Sequence, residues 1–348
     1  FHNNFLGIYI CRLENGIYSK VGDPFEIEGV HVTGRSDDDV QIVHSTSSST
    51  LNLIPQIIFE RFTNLQHIHL INVDLREFHQ PLQNCSQLIS IHFENNDIVK
   101  IPERTFESCA NLTSIAFKRC RIQDIHPMAF FGLSNLQHLE ISRNMHEINL
   151  SPETFKPLIA LKTLQLHSAM IHTIHPQTFQ PLQNLTHLML GWNDFKVIQT
   201  GTFTNLPSLR VLDMSSCNFL TEIQPNSFSS LPQLESITMT YGELRELNTN
   251  SFSVLPSIIY LNLCRQRLTK IERSFFSEKF PNVFTVDLRL NVCVDKDIIN
   301  FSQAVLNSKR HPIEECFWRW EGSPDTTTGG NSMKVHLIVI LFAWAVMH

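Results

Sequence analysis

One segment constrains the whole chain, because its apolar spacing fits neither a single strand nor a single helix. Residues 184–203 read NLTHLMLGWNDFKVIQTGTF, and their apolar positions include Leu185, Leu188, Leu190, Phe195, Ile198 and Phe203. The first three alternate as in a β-strand with one buried face, whereas the last three follow a wider spacing. This spacing predicts a short strand followed by a stretch that turns back on itself.

The same pattern, Leu-x-x-Leu-x-Leu-x-x-Asn-x-Phe, recurs along most of the sequence. Its copies begin, in steps of 23 to 25 residues, at Leu65, Leu88, Leu112, Leu136, Leu161, Leu185, Leu209, Leu234, Ile258 and Val283. A degenerate copy begins at Val40, since LNLIPQIIF at 51–59 matches IVKIPERTF at 98–106. A repeat of this length predicts a solenoid of about eleven coils.

A single coil of this kind cannot bury its own apolar face, so neighbouring coils must stack with their strands ~4.8 Å apart. Each coil closes with a phenylalanine, which accounts for a composition of 25 Phe but only 4 Tyr. We expect these rings to form a column on the convex side, made of Phe59, Phe106, Phe130, Phe155, Phe179, Phe203, Phe228, Phe252 and Phe276.

The repeat resembles the leucine-rich repeat family in its typical 24-residue extracellular form. The resemblance implies an α/β solenoid: a horseshoe with a parallel β-sheet on its concave face, a mostly irregular or short-helix convex face, and caps at both ends. The turn asparagine of the family is present at Asn96, Asn144, Asn193 and Asn291. Other residues replace it at Cys120, Ala169, Cys217, Gly242 and Gln266, where we expect a slightly irregular curve.

The repeats divide the chain into an array and flanking segments. Residues 1–39 contain short β-like runs and are predicted to form an N-terminal cap, before a repeat array at 40–291. Residues 292–321 are predicted to form a C-terminal cap, and 322–334 are a polar linker. The last segment, 335–348, is a hydrophobic tail.

The tail admits three interpretations. Its fourteen residues would span only ~21 Å as a helix, less than the ~30 Å of bilayer hydrocarbon. Small residues, a polar spacer and a terminal apolar run resemble a glycolipid (GPI) attachment signal, with attachment near Asp325. A truncated transmembrane helix and a buried terminal segment are the alternatives.

Eight cysteines bear on the redox compartment. Cys85 and Cys109 hold equivalent positions on adjacent coils, where later coils have leucine, so they are either a disulfide or two inert buried thiols. Cys120 and Cys217 lie four coils apart and are predicted to be buried thiols. By resemblance to the cysteine-bearing caps of extracellular relatives, Cys293 and Cys316 are predicted to pair.

Five glycosylation sequons favour the secretory route, at Asn84, Asn111, Asn149, Asn184 and Asn300. Asn111 and Asn184 share one register, in the loop just before the strand, so a glycan there would leave the sheet uncovered.

The outward-facing strand positions form the candidate partner-binding surface, because a stacked sheet is wide, rigid and preformed. Lys118, Arg119 and Arg143 form a basic patch, with an ordinary solvated face as the alternative. The other candidates add hydrogen-bonding and aromatic groups: His167, His187, Met189, Trp192, Asp213, Tyr241 and Tyr260. Exposed Trp and Tyr are typical of interface hot spots; the alternative for Trp192 is partial burial under a loop.

Seventeen histidines invite a metal interpretation. His67, His69 and His92 are predicted to face outward on early strands, with His69 and His92 in one column. Solvated polar residues are the favoured interpretation over a surface metal site, and the sequence predicts no cofactor. Neither a nucleophile elbow nor a metalloprotease or phosphate-loop motif occurs, so we expect a chain that is not an enzyme.

These features favour an extracellular or cell-surface recognition protein that binds a protein ligand on its concave face. The repeats are similar to those of arthropod secreted and cell-surface proteins, including Toll-type ectodomains and immune and adhesion proteins. The alternative is a non-catalytic scaffold subunit of a secreted enzyme. The net charge of −6 gives no general attraction for nucleic acid, so we expect protein partners, with membrane contact through the tail or its anchor.

Overall fold

A computed structural model describes residues 2–3, 8–13, 17–18, 27–28, 30–45, 49–229, 231–247, 250, 252–271, 278–283, 285–288 and 291. Within these residues the predicted parallel-sheet solenoid is confirmed. The strands are β1 (His2–Asn3), β2 (Tyr9–Leu13), β3 (Ile17–Tyr18), β4 (Val40–Ser45), β5 (Thr50–Leu51), β6 (His67–Ile71), β7 (Ser90–Glu94), β8 (Lys100–Ile101), β9 (Ser114–Lys118), β10 (Asp124–Ile125), β11 (His138–Ser142), β12 (Thr163–Gln165), β13 (His187–Met189), β14 (Val197–Ile198), β15 (Val211–Asp213), β16 (Glu222–Ile223), β17 (Ser236–Thr238), β18 (Glu246–Leu247), β19 (Tyr260–Asn262), β20 (Lys270–Ile271) and β21 (Thr285–Asp287).

The concave face is one 13-stranded sheet, ordered β1-β2-β4-β6-β7-β9-β11-β12-β13-β15-β17-β19-β21. Strand β1 pairs antiparallel with β2, and the later pairs are parallel. The register matches repeat position to repeat position, so Leu188 pairs with Leu212 and His69 with His92. Strand β2 belongs to the predicted N-terminal cap and joins the sheet through β4.

The return stretch of each coil is built of turns and very short strands. The pairs β3–β5, β8–β10, β14–β16 and β18–β20 are two-stranded and parallel. An α-helix, α1, spans Ile57–Arg61, and a 3₁₀ turn covers Asp37–Asp39. Backbone amides of the return stretch bond partly to a neighbouring coil, as Gln224 N–H does to the Ile198 carbonyl at 2.9 Å, and partly within their own turn, as Thr202 N–H does to the Gln199 carbonyl at 3.1 Å.

The core lies between the sheet and the return stretch. Leu185, Leu188 and Leu190 are fully buried, as the alternation predicts. Predicted phenylalanines stack between coils with centroid separations of 6.4 Å (Phe106–Phe130), 6.3 Å (Phe155–Phe179), 6.4 Å (Phe179–Phe203), 5.4 Å (Phe203–Phe228) and 4.7 Å (Phe228–Phe252). Each buried ring contributes about 2–3 kcal/mol.

The phenylalanine column differs from the prediction at its ends. Phe59 is buried, but it is Phe78 that contacts Phe106 edge-on at 5.7 Å. Phe276 lies outside the described residues, and Phe280 packs edge-on against Phe252 at 5.6 Å. In the coil that begins at Leu65 and lacks a phenylalanine at the repeat position, Phe78 from a neighbouring position thus supplies the ring.

Buried side-chain amides connect consecutive coils after each strand. Asn193 Oδ1 accepts hydrogen bonds from the backbone N–H of Ala169 (3.1 Å) and Ile171 (3.0 Å), and its Nδ2 donates to the Leu166 carbonyl at 2.8 Å. Asn96 makes the same set of bonds to the coil before it. These bonds satisfy turn groups that would otherwise be buried unpaired.

Of the two states left open for Cys85 and Cys109, the structure has the disulfide, with Cα atoms 4.7 Å apart. Cys120 and Cys217 are buried thiols, as predicted. Burial raises the pKa of each thiol to about 12. They are therefore protonated and inert at neutral pH.

Candidate binding surface

The strands present a continuous row of polar side chains on the concave face. At its centre Lys118 Nζ lies 3.2 Å from Glu140 Oε2, and Ser142 Oγ donates to Glu140 Oε1 at 2.6 Å. Arg119 lies 2.6 Å from Glu94. Two of the three cations in the predicted basic patch are therefore paired with carboxylates, so the patch is a mixed-charge surface.

Further along the sheet, the outward side chains bond mainly to their own strands. The Ser215 backbone N–H donates to Asp213 Oδ1 at 2.9 Å, and Asn262 Nδ2 donates to Tyr260 Oη at 3.0 Å. His187 Nδ1 lies 2.9 Å from Thr186 Oγ1. These bonds hold the side chains in fixed orientations before any partner arrives.

The two histidines of this region are neutral near pH 7. Burial is the main cause that lowers the pKa of His167 and of His187. Met189 lies on β13 beside His187 and is partly exposed. This part of the concave face is thus mainly uncharged, apart from Asp213.

Five of the predicted binding residues lie beyond the ends of the strands, namely His167, two residues after β12, and four residues of the following turns. Arg119, Arg143, Trp192 and Tyr241 each follow a strand and adopt left-handed backbone, with φ of 49°, 51°, 60° and 55°. The prediction that they are outward strand residues was wrong, because the LxxLxL alternation ends before them. We call their repeat position the turn column.

The turn column holds one residue per coil, namely Asn72, Asn95, Arg119, Arg143, Ser168, Trp192, Ser216, Tyr241 and Arg265, all with positive φ. The backbone N–H of a turn-column residue donates to a carbonyl of the next coil, that of the residue just before the next turn-column residue. For example, Trp192 N–H donates to the Ser215 carbonyl at 2.7 Å, and Ser216 is the next member of the column. A Cβ on Gly191 would lie 2.9 Å from that Ser215 carbonyl oxygen, so a larger residue would require a small local shift, such as the coil with Ser215 at the equivalent position accommodates.

Trp192 is 65% exposed, which excludes the alternative of partial burial under a loop. Its neighbours in the turn column are the small residues Ser168 and Ser216. Tyr241 is 46% exposed, and the Arg265 guanidinium lies 4.7 Å from its ring centroid. The turn column therefore carries aromatic side chains at the edge of the horseshoe.

Histidines form a short column at the first end of the concave sheet. His69 stacks edge-on between His44 and His92, with centroids 6.0 and 5.9 Å apart. Burial, followed by the neighbouring histidines His92, His44 and His67, lowers the pKa of His69 to about 4. Sequence reasoning missed His44, although its place four residues after Val40 gives it the register of His69.

No cluster of three His, Cys, Asp or Glu side chains in the described part of the chain is arranged to hold a metal ion. His92 Nε2 lies 3.3 Å from Glu94 Oε2, and His67 Nδ1 lies 2.8 Å from Ser90 Oγ. The histidine column is therefore a packed polar stack in which His92 Nε2 lies near a carboxylate but is buried without a hydrogen-bond partner among the described residues.

The four described sequon asparagines, Asn84, Asn111, Asn149 and Asn184, are exposed. Asn184 Nδ2 donates to the Ile159 carbonyl at 2.8 Å, and Asn111 Nδ2 donates to Ser86 at 2.8 Å. Asn135 makes the same cross-coil bond without belonging to a sequon. An asparagine at this position thus has a structural role whether or not it carries a glycan.

The remaining predicted sites, Cys293, Cys316, Asn300 and Asp325, lie outside the described residues, as do the linker and the tail. Within the part of the chain that is described, helices fall short of the length and apolar content needed to cross a bilayer.

Comparisons with known proteins agree with this architecture. The leucine rich repeat family profile matches residues 86–145, 110–168, 146–195, 159–219, 183–241 and 216–263. Together these matches cover residues 86–263, about half of the chain. Among curated proteins, the rat (Rattus norvegicus) leucine-rich repeat-containing G-protein coupled receptor 5 is 32% identical over 99 residues, 28% of this chain and 11% of the receptor.

Two solved structures share the fold over most of the chain. A TLR13–ssRNA13 complex aligns with a TM-score of 0.62 at 26% identity, covering 72% of this chain and 36% of that one. The Drosophila Toll–Spätzle complex aligns with a TM-score of 0.65 at 19% identity, covering 74% and 34%. The chain thus spans about a third of these proteins and about a tenth of the receptor. With its stacked coils, inward leucines and amide-bonded turns, this chain belongs to the leucine-rich repeat family.

Proposed function

We propose that the chain is a non-enzymatic recognition module that binds a protein partner on its concave face, outside the cell or at its surface. The observation that carries the proposal is the 13-stranded sheet, whose outward side chains are already fixed by bonds such as Asn262–Tyr260 and Lys118–Glu140. A preformed surface loses little conformational entropy on binding.

Relatives with the same fold support a protein partner. Toll is in complex with Spätzle, mouse RP105 with MD-1, and FLRT2 with Latrophilin 3 and Unc5D. TLR13 is in complex with a single-stranded RNA, so the fold itself does not exclude nucleic acid. The paired state of Lys118 and Arg119 is the feature of this chain that favours protein over RNA, because phosphate binding requires available cations.

The extracellular part of the proposal is supported by the Cys85–Cys109 disulfide and by the exposed sequons. Peptide-N-glycosidase treatment of the protein from its native source tests it. A mass decrease at Asn111 or Asn184 is expected, and a fully unglycosylated, reduced protein would contradict it.

The binding proposal is tested with the immobilised full chain and three variants. His167→Ala/Tyr260→Ala alters the concave sheet, Trp192→Ala/Tyr241→Ala alters the turn column, and His175→Ala on an exposed loop is the control. We expect the concave variant to lose a specifically captured protein that the control retains. Equal capture by the concave variant and the wild type would move the binding surface away from the sheet.

A further inference from the structure

One edge of the horseshoe carries an exposed apolar side chain on each of five consecutive coils. These side chains, which we call the rim strip, are Met145, Met170, Trp192, Phe219 and Tyr241, with exposed fractions of 62%, 38%, 65%, 51% and 46%. All lie in the turn that follows a strand. In the preceding coils the same turns carry polar residues such as Asn72, Asn95 and Asp97. Contiguous exposed apolar groups of this kind mark interaction sites.

Local backbone geometry places three members of the rim strip in solvent. Met170, Trp192 and Tyr241 all have left-handed backbone, which bulky residues rarely adopt, and the last two belong to the turn column. The turn column uses Asn, Ser or Arg in the other coils, and Ser168 and Ser216 lie on either side of Trp192. The indole therefore has no large turn-column neighbour on either adjacent coil and stays open to a partner.

Phe219 is exposed because its turn is one residue longer, not because of left-handed backbone. The coil that begins at Leu209 has 25 residues, one more than the coil before it. The additional residue lies in the turn, where Leu220 is buried at 1% exposure and Phe219 is 51% exposed. Met145 lies in the other rim coil of 25 residues, beginning at Leu136. Insertions that lengthen the turn thus add apolar area to the same edge.

Arginines that form no ion pair with a described residue lie at the two ends of the rim strip, and one of them, Arg265, packs over the Tyr241 ring. Arg119 and Arg121, on an earlier coil, pair with Glu94 at 2.6 Å and Asp97 at 3.2 Å. Arg143 and Arg265, in contrast, form no ion pair with any described residue. They lie five coils apart, ~24 Å at the strand spacing of a sheet.

We infer that the rim strip binds an amphipathic α-helix of a partner protein, with acidic side chains at both ends that meet Arg143 and Arg265. Coils repeat every ~4.8 Å, close to the 5.4 Å turn of a helix, whereas alternate residues of an extended chain are ~6.6 Å apart. Apolar side chains on successive helical turns therefore face successive coils. The distance between the two arginines corresponds to ~16 helical residues. This inference rests on the proposed function but moves the contact from the concave sheet to its edge.

The inference is tested with the full chain and labelled synthetic peptides. The probe is an 18-residue helical peptide. Leucines at i, i+3, i+4 and i+7 spacing form its apolar face, and the remaining positions near both ends are glutamate. One comparison peptide has Lys for Glu, and another has the same composition with a central proline pair. Fluorescence anisotropy should show at least tenfold tighter binding of the acidic helix than of either comparison peptide.

Variants of the full chain assign the site. Trp192→Ser should weaken binding of the acidic helix at least fivefold, and Arg143→Glu/Arg265→Glu should remove the preference for the acidic peptide. Ile159→Ser removes a residue of comparable exposure, 57%, on the opposite loop and should leave binding unchanged.

Three outcomes would overturn the inference. They are equal binding of the basic or proline peptide, an effect of Ile159→Ser as large as that of Trp192→Ser, and self-association of the wild type that Trp192→Ser abolishes. The last would assign the rim strip to a second copy of the chain. If His167→Ala/Tyr260→Ala loses the captured protein while Trp192→Ser retains both the captured protein and the peptide, the concave proposal stands and the rim inference fails.

Discussion

Gly242 and Gln266 occupy the same repeat position on adjacent coils, and the Gln266 amide fills the space that a side chain at residue 242 would need. Gln266 replaces the turn asparagine: its Oε1 accepts from the Leu244 N–H at 3.2 Å, and its Nε2 donates to the Met239 carbonyl at 2.5 Å. A Cβ on Gly242 would lie only 2.9 Å from Gln266 Cδ. In the coils with Asn193, Ala169 stands where Gly242 does, since the shorter amide leaves room for its methyl group.

This pairing predicts the behaviour of a substitution cycle. Gly242→Ala should reduce the free energy of unfolding by about 1–3 kcal/mol, because the added methyl overlaps the Gln266 amide. Gly242→Ala/Gln266→Asn, which recreates the Ala169–Asn193 pair, should regain most of the loss. Urea unfolding of the four proteins measures the coupling. Additive effects of the two substitutions would contradict the pairing.

Buried threonine hydroxyls give a second prediction. Thr154 and Thr178 precede phenylalanines, and their hydroxyls are buried without a partner among the described residues, whereas Thr202 Oγ1 donates to the Gln199 carbonyl at 2.8 Å. Thr178→Val should therefore be neutral or stabilising, and Thr202→Val should cost about 1 kcal/mol. Thermal unfolding of the two variants checks this, and equal destabilisation would show that Thr178 has a hydrogen-bond partner in solution.

The disulfide gives a third prediction. Cys85 and Cys109 are separated by 24 residues, so loop closure predicts a contribution of about 3 kcal/mol to stability. Cys85→Leu/Cys109→Leu should retain more stability than the double alanine variant, because Leu133 and Leu158 fill this position in later coils. Urea unfolding with and without reductant measures both effects. A wild type insensitive to reductant, with leucine and alanine variants equally stable, would contradict it.

The histidine column gives a pH-dependent prediction. The pKa of His69 is about 4 in the folded state, below the ordinary histidine value, so the unfolded chain binds the proton more readily. The part of the free energy of unfolding that depends on neutral His69 is fully present above pH ~6.5. It is lost as the pH falls towards 4, because the unfolded chain takes up the proton first. At pH 5.5 the loss should be about 1 kcal/mol after allowance for partial exposure.

The comparison of wild type with His69→Gln isolates this effect, since the carboxylates that also titrate are common to both proteins. The wild type should lose more stability than the variant between pH 7 and 5.5, as measured by urea unfolding. Equal losses would show that the folded protein does not disfavour protonation of His69.

Individual residues show how far the sequence predicted the surface. The outward positions of His69, His92 and Lys118 follow from alternation, because side chains of a strand point to opposite faces. The same rule wrongly predicted that Trp192 and Tyr241 lie on the sheet. Both have left-handed backbone, which a sequence indicates only where the residue is glycine or asparagine. The hydrogen bonding at Gln266 does not show the irregularity that we expected there. The Gln266 amide bonds the Leu244 N–H and the Met239 carbonyl, as the turn asparagine does in other coils.

The sequence by itself determined the period, the buried face of each strand and the stacking of coils, because a 24-residue unit with one apolar face has few ways to leave water. Only the tertiary structure decided which side chains meet between coils. The Gly242–Gln266 fit and the ion pair of Arg119 with Glu94 each join residues about one coil apart. These relationships arise from the packing of one coil on the next, where a single inserted or enlarged residue changes what its neighbour can do.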